Sequence, residues 1–165
     1  MAEQSPLVTP VVSDTSPLIS LAAVGLMYLL RDLYREIVIP ATVRDEYEVG
    51  RRPSEPPLQN LTWITISGLA PDLSIPAALD PGESAAIALA VHIRARALLL
   101  DERMGRLVAT ELGLPVVGTM GALLRAKQAG FVKEVRPTVD EMIAQGIRIG
   151  PAVRSQVLHM AGEDT

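Results

Sequence analysis

The stretch Pro10-Val11-Val12-Ser13-Asp14-Thr15-Ser16-Pro17-Leu18-Ile19 (PVVSDTSPLI) reads as a short apolar strand that stops at an acid and turns at once into a helix. Thr15 or Ser16 is placed to cap that helix, with Pro17 in its first turn. The helix is predicted over 17–23, is broken at Gly25, and a second helix follows through Arg35. The pattern returns at Ala97-Leu98-Leu99-Leu100-Asp101-Glu102-Arg103 (ALLLDER). Another apolar strand ends in an acid and opens a helix, predicted over 103–112.

Outward from these two stretches, Ile37 to Ile39 and Pro115 to Val117 are further short apolar strands, and Leu61 to Ile66 alternates as an edge strand does. Helices are predicted over 41–49, 83–93, 122–129, 138–145 and 151–160. Short strands alternating with helices imply a three-layer α/β/α sandwich on a short, mostly parallel central sheet. Residues 1–165 are expected to form a single domain, with 1–9 a loose leader and 161–165 a loose tail.

A chain of 165 residues, 48% of them hydrophobic, can bury a core and is not a disordered polymer. With no cysteine, disulfides and thiolate metal sites are excluded. That suits a reducing cytosol, so the expected location is cytoplasmic. The apolar run Leu18 to Leu30 contains Ser20 and Gly25 and falls short of the roughly 20 residues that span a bilayer. It is read as buried helix, and no membrane partner is expected.

The formal net charge of −4 runs against nucleic-acid binding. Two features answer it. Carboxylates gathered round a cation add negative charge that the cation cancels. The positive charge is almost all arginine, Lys127 and Lys133 being the exceptions, and arginine grips phosphate with a bidentate fork. Tyr28, Tyr34, Tyr47, Trp63 and Phe131 are the aromatics, too few for a platform that stacks single-stranded bases.

Ligands of such sheets bind beyond the carboxyl ends of the strands, where Asp14 and Asp101 both fall. Two carboxylates at one edge repel unless a proton or cation intervenes. Helix capping explains either acid alone; both together, with two more acids near, favour a site. In the helix over 41–49, Glu46 shares a side with Val43, Tyr47 and Val49, while Arg44, Asp45 and Glu48 lie opposite. An inward carboxylate needs a partner, a proton or a metal; an arginine salt bridge is the competing reading. Glu83 opens a helix that is apolar almost all round (Ala85 to Val91) and hence buried. The helix dipole alone accounts for an acid there, yet the start of a buried helix belongs near the same sheet edge.

Four carboxylates without sulfur favour a hard cation, Mg2+ or Mn2+. Two such ions can clamp the attacking and leaving oxygens of a phosphodiester. Asp14, the most central, suits a bridging ligand. Arg106, one turn past Asp101, can hold a phosphate or orient Glu83. Ser16 and Thr119, at strand-to-helix corners, can donate to a carboxylate or to bound water, and capping explains both nearly as well. Glu102 ranks behind Asp101, because adjacent residues do not both point inward.

Val12 to Ile19 (VSDTSPLI), Pro40 to Glu46 (PATVRDE), Pro81 to Ala90 (PGESAAIALA), Leu100 to Arg106 (LDERMGR) and Gly113 to Gly121 (GLPVVGTMG), in that order, resemble the PIN-domain nucleases. The nearest likeness is to the prokaryotic branch related to toxins of toxin–antitoxin modules, and it covers about residues 10–150. The resemblance implies a metal-dependent endoribonuclease acting through Asp14, Glu46, Glu83 and Asp101. It implies RNA as substrate, a homodimer, and a small antitoxin protein as partner. The chain departs from many toxin relatives, which carry aspartate where Glu83 stands; the extra methylene moves the carboxylate outward. Two other readings stay open: a catalytically silent module that binds RNA or protein, and a phosphatase with Asp14 as nucleophile. In the latter, a second acid is expected two residues on, where this chain has Ser16.

Overall fold

Among the described residues all four strand pairings are parallel, an arrangement found where helices cover both faces of a sheet. The computed structural model describes residues 9–163. Its elements are β1 (Val11–Ser13), α1 (Thr15–Ala23), α2 (Tyr28–Tyr34), β2 (Ile37–Pro40), α3 (Ala41–Gly50), a 3-10 turn (Leu58–Asn60), β3 (Ile64–Ser67), α4 (Pro81–His92), β4 (Ala97–Leu99), α5 (Arg103–Glu111), β5 (Val116–Val117), α6 (Thr119–Gln128), α7 (Arg136–Ala144) and α8 (Pro151–Met160). The strand order is β3-β2-β1-β4-β5. The expected α/β/α sandwich is present, with a sheet parallel throughout rather than mostly.

The order places a switch point between β1 and β4. From β1 the chain builds outward through β2 and β3, then returns to the other side for β4 and β5. At such a point the flanking connections diverge and leave a crevice at the carboxyl ends of the strands. Ser13 is in register with Leu99, and the Asp14 amide donates to the Leu99 carbonyl at 2.9 Å. Pairing therefore continues up to the acid.

The core gathers round this pair of strands. Val11, Val12, Leu98 and Leu99 are buried, as wholly apolar strands covered on both faces must be. Helix α4 packs against β1, β2 and β4. Ala86, Ala88 and Ala90 are buried within it, and their small side chains let it lie close to the sheet. The run Leu18 to Leu30 is buried helix broken at Gly25, whose φ of +71° suits glycine. Among the described residues, no helix is long and apolar enough to cross a membrane.

Several boundaries differ from expectation. Helix α1 begins at Thr15, and Asp14 rather than Thr15 or Ser16 takes the cap position. Helix α6 begins at Thr119, three residues early, because Gly118 already turns the chain. Strand β3 runs Ile64–Ser67, since the residues before it form turns. The tail is not loose where it is described. Lys127 Nζ donates to the Ala161 carbonyl at 2.6 Å and to Glu163 Oε2 at 2.9 Å, and the Val135 amide donates to the same oxygen at 2.8 Å. Most of the expected leader, and residues 164–165, lie outside the described residues.

Candidate metal centre

Asp14 is the buried centre of the site. It is 3% exposed, and its position follows from β1 ending on it. Although it holds the cap position of α1, its side chain makes no capping hydrogen bond. Its Oδ1 is buried without any hydrogen-bond partner. A buried, unpaired carboxylate oxygen is unfavourable. Burial raises its pKa from 3.8 to about 7; the Thr15 amide opposes the rise, and the charges of Asp80, Glu83 and Glu46 add to it.

Helix α3 supplies Glu46. Val43 and Tyr47 bury their side of the helix, and Glu46 is carried toward Asp14; Val49, expected on that side, is instead 89% exposed in the last turn of α3. The Thr15 hydroxyl donates to Glu46 Oε2 at 2.6 Å, fixing the carboxylate's orientation. Against it lies the first turn of α4. A Cβ added to Gly82 would stand 2.7 Å from Glu46 Cδ, closer than nonbonded carbons approach. Glycine at 82 is what lets α3 and α4 bring their acids together.

The third acid is Asp80, which ends the irregular stretch after β3 and is not among the four acids expected from the sequence. Asp80 caps α4: its Oδ1 accepts from the Glu83 amide at 2.8 Å, and Glu83 Oε2 accepts from the Asp80 amide at 3.3 Å. Asp14, Glu46 and Asp80 each offer an oxygen, and the three lie within 4.8 Å of one another. The signal was present as Asp80-Pro81-Gly82-Glu83, a capping box with proline at the first helical position, which fixes a helix start and its acid.

Glu83 is buried beside the trio, its side chain turned back to the Asp80 amide. Burial raises its pKa; the charge of Asp80 adds to this, the Asp80 amide opposes it, and Glu102 and Glu46 contribute further. Glu83 thus stands within electrostatic reach of the trio while serving the helix cap.

Asp101 stands apart from the trio. It is exposed, and both its oxygens are engaged: Oδ1 accepts from the Thr119 amide and Oδ2 from the Thr119 hydroxyl, each at 2.6 Å. Thr119 therefore does donate to a carboxylate, and the pair ties the end of β4 to the start of α6. Arg106 lies over Gly118, where an added Cβ would stand 2.5 Å from its Nη1 and 3.1 Å from Asp101 Oδ1. Glu102 caps α5 by position without a side-chain bond. Ser16, Asp101, Glu102, Arg106 and Thr119 share the wall of one groove of about 620 Å³.

The residues fit a hard divalent cation. Oxygens bound about 2.1 Å from one ion stand roughly 3 to 4 Å apart, which the spacing of Asp14, Glu46 and Asp80 allows. The donors are all carboxylate oxygens, the orphaned Asp14 Oδ1 lies among them, and a cation would relieve both its isolation and the mutual repulsion. No curated protein and no solved structure matches the chain. A family model described as a PIN domain matches residues 10–163, spanning every strand and helix described above. The chain belongs to the PIN-domain family.

Proposed function

We propose that this protein is a metal-dependent nuclease that hydrolyses RNA phosphodiester bonds, with Mg2+ or Mn2+ held by Asp14, Glu46 and Asp80. The observation that carries the reading is the orphaned, buried Asp14 Oδ1 amid two further carboxylates. PIN domains are in general metal-dependent nucleases, which supports the same reading. A divalent ion so held acidifies a bound water and offsets charge on a phosphate. The chain's own residues do the rest. Thr15 keeps Glu46 aimed, Gly82 leaves it room, and the Asp80–Glu83 box fixes Asp80. Asp14 must give up its proton for a cation to bind, so binding weakens as pH falls below about 7. Glu83 and Asp101 join the reaction as site residues if a bound substrate draws them from their present hydrogen bonds.

The resemblance carries the finer reading: the toxin of a toxin–antitoxin module, a homodimer, and a small antitoxin as partner. A second reading, a silent module that binds RNA or protein, is favoured by the internal engagement of Glu83 and Asp101. One experiment separates the two. Manganese is titrated into the protein by calorimetry, and cleavage of structured RNA is followed with Mn2+ and with EDTA, for wild type and Asp14→Asn. A nuclease binds manganese and cuts only with it, and the variant does neither. Binding without cleavage supports the silent module. Cutting that survives in EDTA or in Asp14→Asn refutes the proposed centre.

A further inference from the structure

The acid trio says nothing about how an anionic strand is held beside it, and the chain's net charge of −4 makes that a real difficulty. Most of its basic side chains are already committed. Among the described residues, Arg31, Arg44, Arg51, Arg52, Lys127 and Arg154 are paired with carboxylates. Arg96 and Arg136 donate to backbone carbonyls. Of the cations among the described residues without such a partner, Arg106 and Arg148 both line the 620 Å³ groove, together with Ser16 and Asp101.

Both arginines are aimed into the groove by the chain. Arg148 lies in the turn Gly146-Ile147-Arg148-Ile149-Gly150 between α7 and α8. Ile147 and Ile149 pack onto the core, and the residue between them faces outward. Gly146, at φ +92°, makes the turn possible. Arg106 is thrown over Gly118 because α5 sits close on the end of β4. A Cβ on Gly105 would stand 3.1 Å from Leu100 Cδ2, leaving little space beneath the helix. Thr119 and Gly118 line the groove with them. The groove begins beside the acids in the chain: Ser16, two residues past Asp14 in the first turn of α1, lines its wall.

We propose that the groove between the α7–α8 turn and the start of α6 carries the polynucleotide strand away from the metal centre, with Arg106 and Arg148 gripping successive stretches of its phosphate backbone. This rests on the nuclease reading above and adds the path of the substrate. Guanidinium forks suit phosphate oxygens, and the scarcity of aromatics fits a grip on backbone rather than on bases. The volume lies within the range of sites that take small ligands, roughly 300 to 1,000 Å³, enough for a nucleotide unit. Arg148 is therefore a positioning residue: it sets affinity and register and takes no part in bond cleavage.

The test is fluorescence anisotropy of a labelled single-stranded oligoribonucleotide in EDTA at low salt, for wild type, Arg106→Ala, Arg148→Ala and Arg148→Lys. Thermal melts verify folding. Arg148→Ala is expected to bind about tenfold more weakly, with a log–log salt slope shallower by about 0.7. Arg148→Lys should recover part of the affinity but not all. Wild-type affinity in the folded Arg148→Ala variant overturns the proposal. So does polyglutamate binding with the same dependence on Arg148, which would make the groove a protein-docking site. Manganese-driven cleavage, assayed separately, keeps the two readings distinct. Arg148-dependent binding without any cleavage sinks the nuclease and leaves the groove. Cleavage with kcat/KM unchanged in Arg148→Ala sinks the groove and leaves the nuclease.

Discussion

Asp14 and Asp101 arise from the same local design and end in opposite states. Each follows a short apolar strand, each precedes a helix, and their strands are adjacent in the sheet. Asp14 is buried with an oxygen left unpaired; Asp101 is exposed with both oxygens bonded. The difference lies in where the nearby threonine hydroxyl goes. Thr15 gives its hydroxyl to Glu46, while Thr119 gives hydroxyl and amide to Asp101. One acid keeps a buried oxygen without a partner, and the other ties the end of β4 to the start of α6. The same sequence pattern thus leads to two hydrogen-bonding states, and the partner each acid finds separates them.

Replacing the acid with the unpartnered oxygen should have the largest effect. Asp14→Asn removes the charge, so manganese should no longer raise the melting temperature. In the wild type a 100-fold excess over Kd should stabilise by about 2.7 kcal/mol. The same variant should be more stable than wild type without metal at pH 8. The sign follows from the raised pKa: the folded acid keeps its proton up to about 7, the unfolded one releases it near 3.8. Stability is lost as pH rises through that window and is lowest above it. Asparagine does not titrate, so its advantage should grow from pH 5 to pH 8. Melts at both pH values, with and without manganese, check this. The comparison fails if wild type and variant respond alike.

Gly82→Ala should come next, and it breaks one side of the comparison without touching an acid. The new methyl displaces the Glu46 carboxylate, the flexible end of a long side chain. Manganese affinity should drop about 10- to 100-fold, the range seen when a ligand's support is lost. Stability should change little, since alanine is a better helix former than glycine. Calorimetry and a thermal melt separate the two readouts. Unchanged manganese affinity would mean that Glu46 is not a ligand.

Thr119→Val tests the tie between β4 and α6. It removes one charge-assisted bond to Asp101 and should destabilise by about 1 kcal/mol, near the low end for such bonds because Asp101 is exposed. Manganese affinity should hold. A gain in affinity would mean that freeing Asp101 returns it to the metal centre, and that the tie competes with the cation.

How much of this was legible depends on how local each feature is. The parallel sheet and the place of Asp14 follow from apolar runs of three or four residues that stop at an acid. The inward turn of Glu46 follows from helical spacing with Val43 and Tyr47, both buried. Asp80 is not among the expected acids although its capping box is written in four consecutive residues, because no strand end or apolar stripe points to it and the box alone marks only a helix start. The fate of Asp101 was out of reach. Its partner stands 18 positions on, and the two meet only through the pairing of β4 with β5. That juxtaposition belongs to the assembled sheet.

A third carboxylate sharpens the contrast at the far end of the chain and carries the smallest expected effect. Burial tends to raise the pKa of Glu163, but Lys127 and the amides of Val135 and Arg136 outweigh it and hold it at about 2, below the ordinary 4.5. The sign is opposite to that of Asp14. The folded acid stays charged where the unfolded one takes up a proton, so its contribution is complete above about pH 4.5 and is lost as pH falls toward 2. Glu163→Gln should therefore be less stable than wild type at pH 7, with the gap closing as the two are acidified through that window. Its manganese affinity should match wild type, because the anchor lies on α6 and α7, away from the acids. Urea midpoints at pH 7 and pH 3 measure the gap. A gap that stays constant would mean the tail is held by packing, with the Glu163 charge contributing nothing. A gap that closes would show that a carboxylate with enough donors stabilises this fold, in contrast to Asp14, whose buried Oδ1 has none.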